Sequence, residues 1–203
     1  IFRQSQNHRP GPVVLALPED MLSGPVEAMA PVPAAAMPSG AAAPEDVNAV
    51  LDRIGAAKRP FIIVGCGGWS GEAGAALGQF AMSMGVPGGA SFRCQDYLNN
   101  DHPCYVGDVG IGLNPKLAER VRGSDCLVAL GARLGEMTTS GYTLVTPPVA
   151  DLPLIHIHAD SAELGRVYRP DLAICARPGV FAQQLAEAAG ARAGGTWLPQ
   201  ARA

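Results

Sequence analysis

The run Gly65-Cys66-Gly67-Gly68-Trp69-Ser70 follows directly on the apolar stretch Phe61-Ile62-Ile63-Val64 and precedes a helical pattern. Glycines at such a junction let backbone N–H groups approach a pyrophosphate at a helix N-terminus, which is the chemistry of a dinucleotide site. Ser70 stands where a third glycine would complete that pattern, and no acidic residue ends the next strand to hold a ribose. A bound nucleotide and a purely structural tight turn therefore both stay open. Leu130-Gly131-Ala132-Arg133 places a guanidinium just past a second apolar run, where its planar fork suits phosphate; a salt bridge to Glu136 or Asp160 is the plain alternative. His156 and His158 are two apart on a strand and share one face. No carboxylate or cysteine is spaced beside them in a ligand pattern, so hydrogen-bonded sheet histidines are expected instead of a metal centre.

These residues need elements to position them. Val47, Val50, Leu51 and Ile54 recur at helical spacing behind Glu45 and Asp46, whose charge suits a helix start, and Lys58-Arg59-Pro60 ends the pattern. Ser70 is placed to cap a helix that turns Ala73, Ala76, Leu77, Phe80 and Met84 inward. Gly85-Val86-Pro87 begins a short strand, Ser91 to Gly112 is an irregular polar stretch with Gly107-Asp108-Val109 as a loop turn, and Asn114-Pro115 opens a helix burying Leu117, Ala118 and Val121. Strands follow at Cys126–Leu130, Leu154–His158 and Leu172–Cys175, then a helix from Pro178 to Ala189. Apolar strands alternating with helices predict an α/β fold: a doubly wound, mostly parallel, Rossmann-like sheet with helices on both faces. Ligands in such sheets sit at the carboxyl ends of strands, where Gly65–Gly68, Gly131–Arg133 and Ala159–Ser161 fall.

Upstream, Val13–Leu17 is expected to be a buried strand with no nearby partner, and Ser23 to Pro44 is a linker with prolines at 25, 31, 33, 38 and 44. With 15 basic and 18 acidic residues among 203, the net charge of -3 offers no cationic field for nucleic acid or anionic lipid. No apolar run reaches the ~18 residues of a membrane span. Five widely spaced cysteines, none in a C-x-x-C pair, point to reduced thiols of a cytoplasmic protein. Ile1 to Pro10 is not expected to be a signal peptide, and the absence of an initiator Met leads to the expectation that the chain begins inside a longer one.

Gly11-Pro12-Val13-Val14-Leu15-Ala16-Leu17-Pro18-Glu19-Asp20 resembles the closing strand of the pyrimidine-binding domain in thiamine-diphosphate-dependent 2-oxo-acid enzymes. Ala57–Gly65, Leu127–Arg133 and Ile155–Gly165, in that order and spacing, resemble that family's central domain, nearest to its acetolactate synthase-like branch. The resemblance implies residues 1–22 as the end of the pyrimidine domain, 23–44 as linker, 45–190 as the central domain and 191–203 as the start of a linker to a diphosphate-binding domain. It implies thiamine diphosphate and Mg2+ in the full-length enzyme, held by neighbouring domains of the same chain in a homodimer or homotetramer, with no catalytic residue in this segment. It also implies FAD, ahead of ADP, in a crevice formed by Gly65, Gly67, Gly68, Gly131, Arg133 and Asp160. His158 and Leu134-Gly135-Glu136 depart from the flavin pattern. Two alternatives stand beside this reading: an NAD-dependent sirtuin-like deacylase, whose paired C-x-x-C zinc module is missing here, and a structural spacer with an empty crevice.

Overall fold

The computed structural model describes residues 11–31, 39–65 and 67–189, together with Ser5. After a five-residue helix, α1 (Glu19–Ser23), the chain forms α2 (Pro44–Ala56), β1 (Pro60–Val64), α3 (Gly71–Met84), β2 (Gly88–Ser91), β3 (Tyr105–Val109), α4 (Pro115–Arg122), β4 (Cys126–Leu130), β5 (Leu154–His158), β6 (Leu172–Cys175) and α5 (Pro178–Ala189). All six strands run parallel in the order β3-β2-β1-β4-β5-β6. The chain winds outward from β1 to one edge and returns to wind from β4 to the other, so the fold is doubly wound and Rossmann-like.

Local chemistry sets the element ends as expected. Pro44 occupies the first turn of α2, which buries Val47, Val50, Leu51 and Ile54. Ser70 Oγ accepts the Ala73 amide at the start of α3 (3.2 Å), and Gly85 closes that helix in the left-handed region (φ +65°). Asn114 Oδ1 accepts the Lys116 amide (2.9 Å) ahead of Pro115. At the opposite end of the sheet, the Asp125 carboxylate accepts the Lys58 and Arg59 amides (2.9 and 2.7 Å) and ties the entries of β1 and β4 together.

Strand residues alternate between two cores. Ile62, Val64, Val128, Leu130, Ile155 and Ile157 meet α2, α3 and α5 on one face. Phe61, Ile63, Leu127, Ala129 and Leu154 meet α4 and the segment from Leu134 to Tyr168 on the other. β1, β4 and β5 are buried along their whole length, as strands covered on both faces must be.

Two expectations are corrected. Val13–Leu17 forms no strand: Val14 is 92% exposed, Leu15 and Leu17 are more than half exposed, and the segment pairs with neither edge of the sheet, β3 or β6. Tyr105–Val109 is not a loop but β3, the edge strand, paired with β2. Its glycine-broken sequence hid it, and Gly107 (φ +123°) sits where the register between the two strands shifts. The expected linker is described only at 23–31 and 39–44; its residues 32–38, the segment 1–10 apart from Ser5, and 191–203 lie outside the described residues.

Candidate functional site

The β1–β4 junction is where the winding reverses, and the carboxyl ends of these neighbours carry Gly65 and Gly131. Gly65 N–H donates to Leu130 O (3.1 Å) and Gly131 N–H to Ile157 O (2.7 Å), so both turns stay hydrogen-bonded to the sheet as they leave it. The space a side chain would need at Gly65 is already held by the Ser91 hydroxyl and the Ala132 Cα. At Gly131, in the left-handed region (φ +73°), a Cβ would lie 2.5 Å from Gly65 O and 2.6 Å from Pro178 Cγ. Gly68 (φ +90°) faces Pro178, and its carbonyl closes off the Cβ position of Gly179. These glycines let β1, β4 and the start of α5 pack backbone to backbone at the carboxyl ends of the strands, where the winding reverses. Trp69 fixes the turn from outside: its Nε1 donates to Gly65 O (3.1 Å) and its ring stacks on Tyr97. Gly67 is exposed on the turn, and Cys66 lies outside the described residues.

Arg133 follows β4 at this end of the sheet with 44% of its side chain exposed. Its partner is neither Glu136 nor Asp160 but Glu163, whose Oε2 lies 3.3 Å from Arg133 Nε. The other oxygen, Oε1, takes Arg166 Nη1 at 2.6 Å. Glu163 is only 4% exposed at its side chain, so one buried carboxylate carries two half-exposed guanidinium groups. Asp160 contributes indirectly: its Oδ1 accepts the Ala162 amide (3.0 Å) and caps the single turn Ser161–Glu163 that delivers Glu163.

The two strand histidines are structural. His156 Nε2 donates to Ala132 O (3.0 Å), which anchors the Gly131–Arg133 turn from beneath. Burial lowers its pKa to about 4, with His158 pushing the same way and the Ala132 carbonyl and Glu163 opposing, so the ring is neutral at pH 7. The Asp160 amide donates to His158 Nδ1 (3.0 Å). Among the described residues no three His, Cys, Asp or Glu side chains converge as a metal site, and no helix is long and apolar enough to cross a membrane.

The structure thus brings Gly65, Gly131 and Arg133 together at the reversal, sets Gly68 against the start of α5, and links Asp160 to Arg133 through Glu163. Sequence reasoning assigned no role to Glu163 and Arg166; the signal was a carboxylate three residues past Asp160 and three before Arg166. Asp108, expected in a loop turn, lies instead on β3, with its Oδ1 buried without a partner among the described residues. Desolvation raises the pKa of that carboxyl, against a hydrogen bond from the Gln95 side chain that lowers it. Beside the glycine turn, a groove of about 580 Å³ runs between α3 and the segment 96–102, lined by Trp69, Gly74, Gly78, Tyr97, Asn99 and His102.

Residues 47–185 match the sequence profile of the thiamine pyrophosphate enzyme central domain. The chain is 29% identical over 177 residues to acetolactate synthase isozyme 1 large subunit of Escherichia coli, covering 85% of this chain and 30% of that protein. It is 27% identical over 179 residues to a probable acetolactate synthase large subunit of Methanocaldococcus jannaschii, covering 85% and 30%. With sulfoacetaldehyde acetyltransferase of Castellaniella defragrans it shares 27% over 165 residues, covering 81% and 27%. The chain spans less than a third of the length of these relatives. A profile match across both windings of the sheet, from α2 into α5, shows that this chain belongs to the thiamine pyrophosphate enzymes as a central domain of acetolactate synthase-like type.

Proposed function

We propose that this chain is the central domain of a thiamine-diphosphate-dependent carboligase or decarboxylase acting on 2-oxo acids, silent in catalysis by itself, and that its crevice binds an adenine nucleotide, FAD ahead of ADP. Residues 45–190 are the domain proper, 1–22 the end of the preceding pyrimidine-binding domain, 23–44 a linker and 191–203 the start of the linker to a diphosphate-binding domain; those neighbours hold thiamine diphosphate and Mg2+ in a cytoplasmic homodimer or homotetramer. The observation that carries the nucleotide reading is Arg133: a half-exposed guanidinium held by a buried carboxylate over the reversal point of the sheet.

The residues fit such a ligand through Arg133 first. Its fork meets a phosphate, while Gly65 and Gly131 shape the floor and Gly67 and Gly68 turn the backbone past it towards the capped start of α3. Bound flavin would supply a planar redox-capable ring; the acetolactate synthase chemistry of the relatives rests on thiamine diphosphate, so the flavin's role here is structural. Central-domain membership leaves the deacylase alternative without support. The empty spacer keeps one specific observation in its favour: the space beside Gly65 and Gly131 is filled by the chain itself and not left for a ligand.

Calorimetric titration of the chain with FAD and with ADP separates the two readings. Saturable binding that Arg133→Ala weakens at least tenfold supports the nucleotide site, whereas no binding, or binding indifferent to the arginine, supports the spacer.

A further inference from the structure

We propose that Glu163 is the positioning residue of the anion site, holding the Arg133 guanidinium in the orientation that meets a nucleotide diphosphate. The inference rests on the nucleotide reading above and adds the residue that makes Arg133 effective. Arg133 is a long side chain, 44% exposed, and a free guanidinium in that position would sample many rotamers. Glu163 removes that freedom at the stem side of the fork: it engages Nε, while nearly half of the arginine side chain remains exposed. The carboxylate is itself immobile. It is buried, its second oxygen is taken by Arg166 Nη1 at 2.6 Å, and it ends a one-turn helix capped by Asp160. The backbone of the same turn as Arg133 is held from below by His156 Nε2 on Ala132 O. Arg133 is thus fixed at both ends, backbone and guanidinium, by β5 and the turn that follows it.

Charge and positioning predict opposite outcomes for one substitution. Two arginines on one carboxylate leave a single net positive charge, and Glu163→Gln raises it to two. Were Glu163 only a neutralising charge, the variant would bind an anion more tightly. If it positions Arg133, the variant must order that side chain at the moment of binding and binds about three- to tenfold more weakly.

The test is a double-mutant cycle with ADP as titrant, measured by calorimetry on the wild-type chain, Glu163→Gln, Arg133→Ala and the double variant, with thermal melts confirming the fold. Weaker binding by Glu163→Gln that disappears in the Arg133→Ala background supports the proposal. Equal or tighter binding overturns it, as does a loss of the same size in both backgrounds, which would mean that Glu163 acts through the fold and not through the arginine. Wild-type chain that binds neither ADP nor FAD sinks the nucleotide reading instead. The positioning claim is then decided on the wild-type protein alone by the Arg133 Nε–H resonance: protection from solvent exchange supports the hold by Glu163, and rapid exchange overturns it.

Discussion

Gly131 resists a side chain on two counts, conformation and space. Its backbone is in the left-handed region, and the atoms that a Cβ would strike are a carbonyl oxygen and a proline ring held in the backbone, neither of which swings aside. Gly131→Ala is expected to cost on the order of 3 kcal/mol or more in a denaturant melt, from positive-φ strain plus the clash. His156 gives a different kind of readout. Its folded pKa of about 4 lies below the unfolded value of ~6.5, so the unfolded state takes a proton first as pH falls. The stability present above pH ~6.5 is lost between there and pH ~4, by up to about 3 kcal/mol. His156→Gln, which keeps a donor for the Ala132 carbonyl, should flatten that slope by about one proton in unfolding midpoints measured from pH 7 to 4. The thiols sort by burial. Cys175 is exposed and should alkylate readily in the native state, whereas Cys126, buried in β4 with its thiol pushed up to about 11 chiefly by desolvation, should react only on unfolding. Mass spectrometry after brief iodoacetamide treatment reads both.

Elements with a strong period or a cap were legible, and those without were not. α2, α4 and α5 carry proline or asparagine at their starts and an unambiguous apolar face, and the sequence places them correctly. β3 was hidden because Tyr105-Val106-Gly107-Asp108-Val109 mixes a glycine and a carboxylate into what is only half-buried edge. Val13–Leu17 misled in the opposite sense: an apolar run reads as a strand, yet composition alone names no partner, and here the segment stays exposed and pairs with neither edge strand. The end of the linker is also more tightly held than its composition implies. The Gly40 carbonyl accepts the Arg177 amide (2.8 Å), and Ala42 exchanges two hydrogen bonds with the Gln184 side chain, each 3.0 Å. Limited proteolysis is therefore expected to cut before Ser39 and leave a core that begins near Gly40; a fragment beginning past Glu45 would contradict the anchoring to α5. At the site, the glycine turn and Arg133 stood out as motifs. Glu163 did not, because nothing local in Ser161-Ala162-Glu163 tells a buried carboxylate from a solvated one.

The described domain is put together so that helix α5 completes what strand β1 begins. Pro178 and Gly179, at the start of α5, supply the atoms against which Gly131 and Gly68 close, and α5 lies beside α2 and α3 in one core. A chain emerging from its N-terminus can form β1, α3 and β2 early, yet the crevice floor stays open until residues beyond 178 arrive, since those contacts join the most distant parts of the domain. On the proposed nucleotide reading, affinity for ADP would then mark completed folding: a truncation before Pro178 should abolish it, while the strands already made keep their apolar faces exposed and prone to aggregate.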